Sequence, residues 1–419
     1  MINSRRGYTW VLYALLPQTL LHLLWRALRQ RSYLEHLPER FGNYSIATRQ
    51  PLIWVHAVSV GETRAAEPLI DALQRKYPQH RILLTHMTPT GRETGESLFG
   101  DRVLRCYLPY DFPFAVARFL EYFKPACGIL LETEIWPNLI HASRARGMPI
   151  YLVNARLSEK SFRRYRRFGA LAAACLGELT GIAAQGQRDA ERLKALGAAA
   201  VHTTGNLKFD IVPDPALLAR GIAWRDAYGR SRPVLLAAST REGEEALLLQ
   251  ALRNVDVPQL LTVIVPRHPQ RFDDVAALMA REGVPYQRRS ADQPIAAATR
   301  VVLGDSMGEM FAYYAACDVA IIGGTLLPFG AQNLIEASAV GKPVIIGPHT
   351  YNFADAAQLA IDAGAALQVE DARGAFAAAR EILQDPARAQ RIAHAGLEFV
   401  RKHQGATARV VELIKVRAS

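Results

Sequence analysis

Near-continuous apolar runs alternate with amphipathic stretches along this chain, and the alternation occurs twice. The first series reads LIWVHAV (52–58), RILLTHM (81–87), VLRCYLP (103–109), ACGILLE (126–132), PIYLVNA (149–155), GIAAQ (181–185) and VHTTGNL (201–207). Helical patterns such as 63–77 and 188–196 lie between these runs. The second series reads PVLLAAS (233–239), LLTVIVPR (260–267), RVVLGDS (300–306), VAIIGG (319–324), PVIIG (343–347) and AALQV (365–369), followed by about forty residues of helical pattern. Strands that are apolar on both faces belong to parallel sheets covered by helices. The two prolines of DIVPDP (210–215) mark a linker between the series. At 419 residues the chain is too long for one typical domain. The reading is therefore α/β: two doubly wound Rossmann-like domains, 32–212 and 213–419, behind an N-terminal segment, 1–31. Two such domains are expected to hold ligand between the carboxyl ends of their sheets.

The N-terminal segment narrows the class. From Tyr8 to Trp25 there is no acid and no formal positive charge, while Arg5, Arg6, Arg26, Arg29 and Arg31 flank the run. Its length is at the short limit for a bilayer span, and Pro17, Gln18 and His22 weaken it further. Basic flanks with aromatic ends fit an anchor or an interfacial helix, and a helix packed on the protein itself is the other reading. A small-residue cleavage site is missing, which argues against a removable signal peptide. The net charge of +11 calls for an acidic partner: nucleic acid, anionic lipid or a phosphorylated substrate. Four scattered cysteines, none in a Cys-x-x-Cys pair, fit a reducing compartment.

The segment AIIGGTLLPFGAQNLIEASAVGKPVIIGP (320–348) carries the strongest ligand signal. A buried run ends at Gly323 and Gly324, Gly330 follows in the loop, and a helical stretch places Asn333 and Glu336 on one face. Loop glycines admit a close ligand, a helix N-terminus favours an anion, and a carboxylate can accept from two sugar hydroxyls. Together they suit a nucleotide; an ordinary strand-loop-helix unit is the bland alternative.

Other strand ends add candidates. Glu62 follows the first strand and is either a general base or a complement to the helix dipole. Glu132, Glu134 and Trp136 end the fourth run, where Trp136 serves either a polar ligand or the core. Lys208 closes the first domain as an anion ligand or a solvated lysine. Arg163, Arg164, Arg166 and Arg167 surround Tyr165, as a solvated helix face or a phosphate surface. In the second domain Ser239 and Thr240 occupy a cap position, Arg267 and His268 end the next strand, and Met307, Gly308 and Glu309 open another helix. The chain has no Walker A sequence, no Gly-x-Gly-x-x-Gly after its first strand, and no Asp-x-Asp or His-Glu-x-x-His, so neither a cofactor nor a metal site is expected. No nucleic-acid signature accompanies the arginines, and nucleic acid is set aside as a partner.

The motifs HAVSVGE (56–62), ETEIWPN (132–138), GNLKFD (205–210), PRHPQRF (266–272), GDSMGEM (304–310) and FGAQNLIEASAVGKPVIIGP (329–348) resemble those of the lipid A Kdo transferases. They occur in the right order over most of the chain. The resemblance implies a metal-independent glycosyltransferase of the GT-B architecture. It would move 3-deoxy-D-manno-octulosonic acid (Kdo) from CMP-Kdo to a phosphorylated lipid A precursor with inversion, at an anionic membrane surface, on the cytoplasmic face of the inner membrane. It further implies Glu62 as the base and Glu132 and Lys208 as transition-state stabilisers. Donor binding would fall to Arg267, His268, Met307, Gly308, Glu309, Asn333, Leu334, Ile335 and Glu336, with Ser239, Thr240 and Gly324 beside them. Acceptor contacts would come from Glu134, Trp136 and the four arginines. A different nucleotide sugar on the same architecture, or a membrane-surface binding protein without activity, are the competing readings.

Overall fold

The computed structural model describes residues 4–29, 31–46 and 48–417. The chain forms two compact units, Met1–Asp210 with Gln404–Ser419 and Ile211–His403. The first carries seven parallel strands: β1 (Leu52–His56), β2 (Arg81–His86), β3 (Val103–Tyr107), β4 (Cys127–Leu131), β5 (Ile150–Ala155), β6 (Gly181–Ala184) and β7 (Val201–Thr203). Their spatial order is β3-β2-β1-β4-β5-β6-β7. Helices cover both faces, so β1, β4, β5 and β6 are buried throughout. That burial is what made these strands legible as unbroken apolar runs.

The second unit carries β8 (Val234–Thr240), β9 (Leu261–Pro266), β10 (Tyr286–Arg288), β11 (Val301–Leu303), β12 (Val319–Ile322), β13 (Val344–Ile346) and β14 (Ala366–Gln368). The order is β10-β11-β9-β8-β12-β13-β14, again all parallel. Six of these strands match the expected runs; β10 does not. It is an edge strand of three half-buried residues, Tyr-Gln-Arg, and so left no apolar run to read.

Two further expectations are corrected. The N-terminal apolar stretch is not one helix but two, Arg5–Ala14 and Leu16–Arg29, bent by 53° at Leu15. Pro17 sits at the break, where it has no N–H to give to the preceding turn. Among the described residues no single helix is long and apolar enough to cross a membrane, although this bent pair passes by length and composition. The second correction concerns residues 404–417, which were expected in the second domain and belong to the first unit. The helix Ala406–Leu413 buries Ala406, Val410 and Val411, with Ile414 beyond it, in the core around Ile53, Val55 and Leu69. Asp210 accepts the Gly405 N–H at 2.6 Å and also that of Thr407, capping this helix from the other end of the chain segment.

Candidate active site

In each sheet the strand order reverses direction beside its first strand, and ligands of doubly wound folds collect at that switch point. In the first unit the switch lies between β1 and β4, whose carboxyl ends lead to Glu62 and Glu132.

Glu62 lies in the first turn of the helix Val60–Ala65. Its Oε2 accepts the Val58 N–H at 2.6 Å and its Oε1 lies 3.4 Å from the Ser59 hydroxyl. The carboxyl is pushed up to about 8, first by burial and then by the negative charge of Glu132 and Glu134; the Val58 bond and Lys208 pull the other way. A carboxylate so placed is more basic than a solvated one, in the range that general-base work requires.

Glu132 sits just past β4 with φ of 56°, left-handed backbone that costs a non-glycine residue of order 1 kcal/mol or more. Lys208 Nζ donates to its Oε1 at 2.9 Å. Burial alone would raise this acid, but Lys208 and Arg156 outweigh it and hold Glu132 below the usual range. Lys208 is in turn aimed by its loop. Asn206 Oδ1 accepts the Lys208 N–H at 3.0 Å, and Asn154 Oδ1 accepts that of Leu207 at 3.0 Å. Asn154 also has left-handed backbone, φ 54°.

Glu134 stands next to this pair and accepts the Trp136 indole N–H at 2.7 Å. Burial, opposed by the Trp136 bond and assisted by Glu132, raises its carboxyl. His56 Nε2 lies 4.0 Å from the same carboxyl. That imidazole is pulled down to about 3 by burial and His86, so it is neutral and forms no ion pair. Of the two readings of Trp136, its ring takes the core one, and its N–H is bonded to Glu134.

The four arginines lie on and just after the helix Glu159–Arg166. Tyr165 and Phe162 turn inward to the core and leave the cations outside. Lys160, Arg163, Arg164 and Arg167 line an open depression of about 570 Å³ with Glu159 and Ser161. Arg166 is apart from it, over the Phe162 ring at 5.8 Å, and Arg163 is held by Glu159 at 2.9 Å.

In the second unit the switch lies between β8 and β12. Gly323 and Gly324 leave β12, Gly324 at φ 70°, and the loop folds back so that Gln332 N–H bonds Gly323 O at 2.9 Å. A Cβ on Gly323 would overlap the Ser239 carbonyl, and one on Gly330 would overlap Asn352. Asn333 differs from expectation: it lies before the helix Ile335–Ala339 and its N-cap residue Leu334, its Oδ1 taking the Ile335 N–H at 3.1 Å. Its Nδ2 donates to Glu336 Oε1 at 3.1 Å, so the pair does share one face. Leu334 and Ile335 are fully buried, so their side chains belong to the core.

Ser239 and Thr240 are not the helix cap, which is Gly243. Ser239 takes left-handed backbone, φ 58°, at the end of β8, and the buried Thr240 hydroxyl donates to Glu245 at 2.7 Å. Arg267 Nε donates to Gln332 Oε1 at 3.1 Å, tying the end of β9 to the glycine loop. His268 is pulled down to about 4 by burial and by Arg267, Arg241 and Arg271, and is neutral. Glu309 precedes the helix Met310–Ala316 and pairs with Arg220 at 2.6 Å and Arg289 at 3.6 Å; Gly308 has φ 79° and Met307 is exposed.

Several contributors escaped the sequence reading. Glu244 is buried and takes three backbone N–H groups, of Arg241 (2.8 Å), Gly324 (2.7 Å) and Leu326 (3.0 Å). Glu245 binds Arg271 through both oxygens at 2.7 and 2.9 Å. Two acids opening a helix look like ordinary dipole complements, and only the fold reveals that they shape the loop. Arg241 stacks on Phe329 at 4.6 Å and adds a cation at this edge. Among the described residues no group of three His, Cys, Asp or Glu side chains is placed to hold a metal ion.

Two all-parallel α/β units of this kind define the GT-B fold class. UDP-GlcNAc 2-epimerase from Neisseria meningitidis shares the fold at a TM-score of 0.60 and 16% identity, over 87% of this chain and 99% of that one. A glycosyltransferase from Rickettsia africae does so at 0.60 and 15%, over 87% and 98%. A sequence profile described as 3-deoxy-D-manno-octulosonic-acid transferase (kdotransferase) matches residues 35–211. The chain is 46% identical to the 3-deoxy-D-manno-octulosonic acid transferase of Bordetella pertussis, over 98% of this chain and 99% of the relative. It is 37% identical to that of Haemophilus influenzae, over 97% of each. The chain belongs to the 3-deoxy-D-manno-octulosonic acid transferase family and is a glycosyltransferase.

Proposed function

We propose that the protein transfers Kdo from CMP-Kdo to a hydroxyl of the phosphorylated lipid A precursor lipid IVA, with inversion, in lipopolysaccharide biosynthesis. The observation that carries this reading is Glu62, a buried carboxyl raised to about 8 beside the Glu132–Lys208 pair. In the proposed step the acceptor hydroxyl gives its proton to Glu62 as its oxygen bonds the anomeric carbon. The bond from that carbon to the CMP phosphate oxygen breaks, and CMP leaves as an anion. Lys208 offers a cation to the charge that redistributes in the transition state. In the second unit Arg267, the glycine loop and the Asn333–Glu336 pair suit the phosphate and ribose of CMP.

The acceptor and its location are read from the surface of the first unit. Trp10, Leu21, Leu24, Trp25 and Leu28 of the N-terminal helices are exposed, which suits insertion into the membrane interface. The arginine helix supplies cations for a phosphorylated lipid or anionic headgroups. Both fit the cytoplasmic face of the inner membrane.

The test is transfer from CMP-Kdo to lipid IVA, with Kdo number counted by mass. Glu62→Gln is expected to lose transfer by ~10²–10⁴-fold while CMP still binds. A folded Glu62→Gln protein that no longer binds CMP makes Glu62 a donor-site residue and sinks the assignment. Transfer from a UDP-sugar in preference to CMP-Kdo overturns the donor.

A further inference from the structure

The helix Pro137–Ala145 begins directly after the loop that holds Glu132 and Glu134, and Trp136 before it provides no side-chain cap. Its free N–H groups are satisfied from elsewhere. Asp111, in the loop between β3 and the helix Pro113–Phe123, accepts the Asn138 N–H on Oδ2 at 3.0 Å and the Leu139 N–H on Oδ1 at 2.8 Å. Asn138 Nδ2 donates to the Asp111 carbonyl at 2.7 Å. Its remaining atom, Oδ1, faces the first N-terminal helix: Arg5 Nη1 lies at 3.3 Å and Thr9 Oγ1 at 3.0 Å, the one hydroxyl proton of Thr9 being shared between Asn138 Oδ1 and the Arg5 carbonyl at 2.9 Å. Asn138 and Asp111 are 2% and 3% exposed, so water does not replace a lost partner. Tyr8 of the same helix packs against the core of the first unit, as Ile135 and Trp136 do.

A segment serving only to hold a membrane has no need of bonds to a buried asparagine next to the catalytic loop. We infer that the first N-terminal helix is a positioning element for the reaction: through Thr9 and Arg5 on Asn138 it fixes the start of the helix Pro137–Ala145, and with it the loop of Glu132 and Glu134. This rests on the reading of Glu132 as part of the catalytic machinery. Thr9, Arg5, Asn138 and Asp111 touch neither substrate nor reacting atoms.

The effect is read through Glu62, which faces Glu132, Glu134 and Lys208 and is bonded to the Val58 N–H. Glu132 is the strongest of the charges raising that carboxyl. A loosened loop therefore moves the acid limb of the rate profile toward lower pH, a change that reduced stability alone does not produce.

The experiment uses the full chain in detergent micelles with CMP-Kdo and lipid IVA, and phosphatidylglycerol–phosphatidylcholine vesicles for membrane binding. Thr9→Val keeps shape and removes the hydroxyl. It is expected to lower kcat about three- to tenfold, the worth of one hydrogen bond. The acid limb should move down while vesicle binding and the KM for CMP-Kdo stay unchanged. Thr9→Ser should restore kcat, and Arg5→Gln added to Thr9→Val should deepen the loss. Folding of each variant is verified by its melting transition, with Thr9→Ala as the substitute if Thr9→Val does not fold. Wild-type kcat and pH limb in a folded Thr9 variant overturn the inference, as does loss of vesicle binding as the sole effect. Full transfer by Glu132→Gln would sink the underlying catalytic reading instead, whatever Thr9 does.

Discussion

At the carboxyl edge of the first sheet three acids, Glu62, Glu132 and Glu134, gather beside Lys208; at that of the second Arg241, Arg267 and Arg271 act on His268, with Glu245 paired to Arg271 and Glu244 holding the glycine loop. Both sheets are seven-stranded, parallel and doubly wound. Their backbones solve the same turn differently. The second edge mostly uses glycine for left-handed positions, at Gly308, Gly324 and Gly330. The first uses Gly205 but also places Glu132 and Asn154 in that conformation, as the second does Ser239 and Ala331, accepting strain where side chains are needed. One architecture thus provides an acidic edge suited to removing a proton and a cationic, glycine-lined edge suited to holding an anion.

The comparison can be broken most severely by exchanging losses between the two edges. Glu62→Gln should cost ~10²–10⁴ in transfer and leave CMP affinity intact. Arg267→Ala should weaken CMP by roughly 10- to 150-fold, the range for a hydrogen bond to a charged group, as measured by calorimetry. If both substitutions depress CMP binding equally, the division of labour is wrong.

Glycine sets the next contrast. Gly323→Ala forces a Cβ against the Ser239 carbonyl, and should cost ~1–3 kcal/mol and lower the thermal midpoint by several degrees. Gly61→Ala meets nothing within 4 Å inside its helix, and should stabilise by ~0.5–1 kcal/mol. The same midpoint measurement decides both.

A pH profile sharpens the first edge alone. The base acts ionised, so kcat/KM should fall tenfold per unit below about 8 as Glu62 takes up its proton. Glu132→Gln removes the charge that most raises Glu62, and should move this limb to lower pH. The same shift has a sign for stability: a carboxyl raised on folding binds its proton more tightly in the native state. Its contribution therefore falls as pH rises from the ordinary carboxylate range to about 8, which urea midpoints across that window would register.

The central strands were legible because burial on both faces writes itself as an unbroken apolar run, and β10 was not because its Tyr-Gln-Arg, half-buried throughout, forms no such run. Site residues at strand ends were legible for a related reason: topology obliges parallel sheets to present those ends together. The chemistry of each was not. Glu62 in a first helical turn reads equally as a dipole complement, and only the fold reveals the burial and the neighbouring charge of Glu132 that raise its carboxyl. Thr240 resembled a cap until the fold turned its hydroxyl to Glu245. Asp111 and Asn138 lie 27 residues apart, and no local pattern announces that one caps the helix of the other.

The return of residues 404–417 to the first unit makes the second unit an insertion between Asp210 and Gln404. During synthesis the first unit lacks Val410, Val411 and Ile414 of its core until the whole of the second has been made. The unit begun first is therefore finished last. A fragment ending at residue 210 exposes that apolar seam to self-association. Joining Asp210 directly to Gln404, whose neighbours are already hydrogen-bonded across the junction, gives the first unit as a continuous chain.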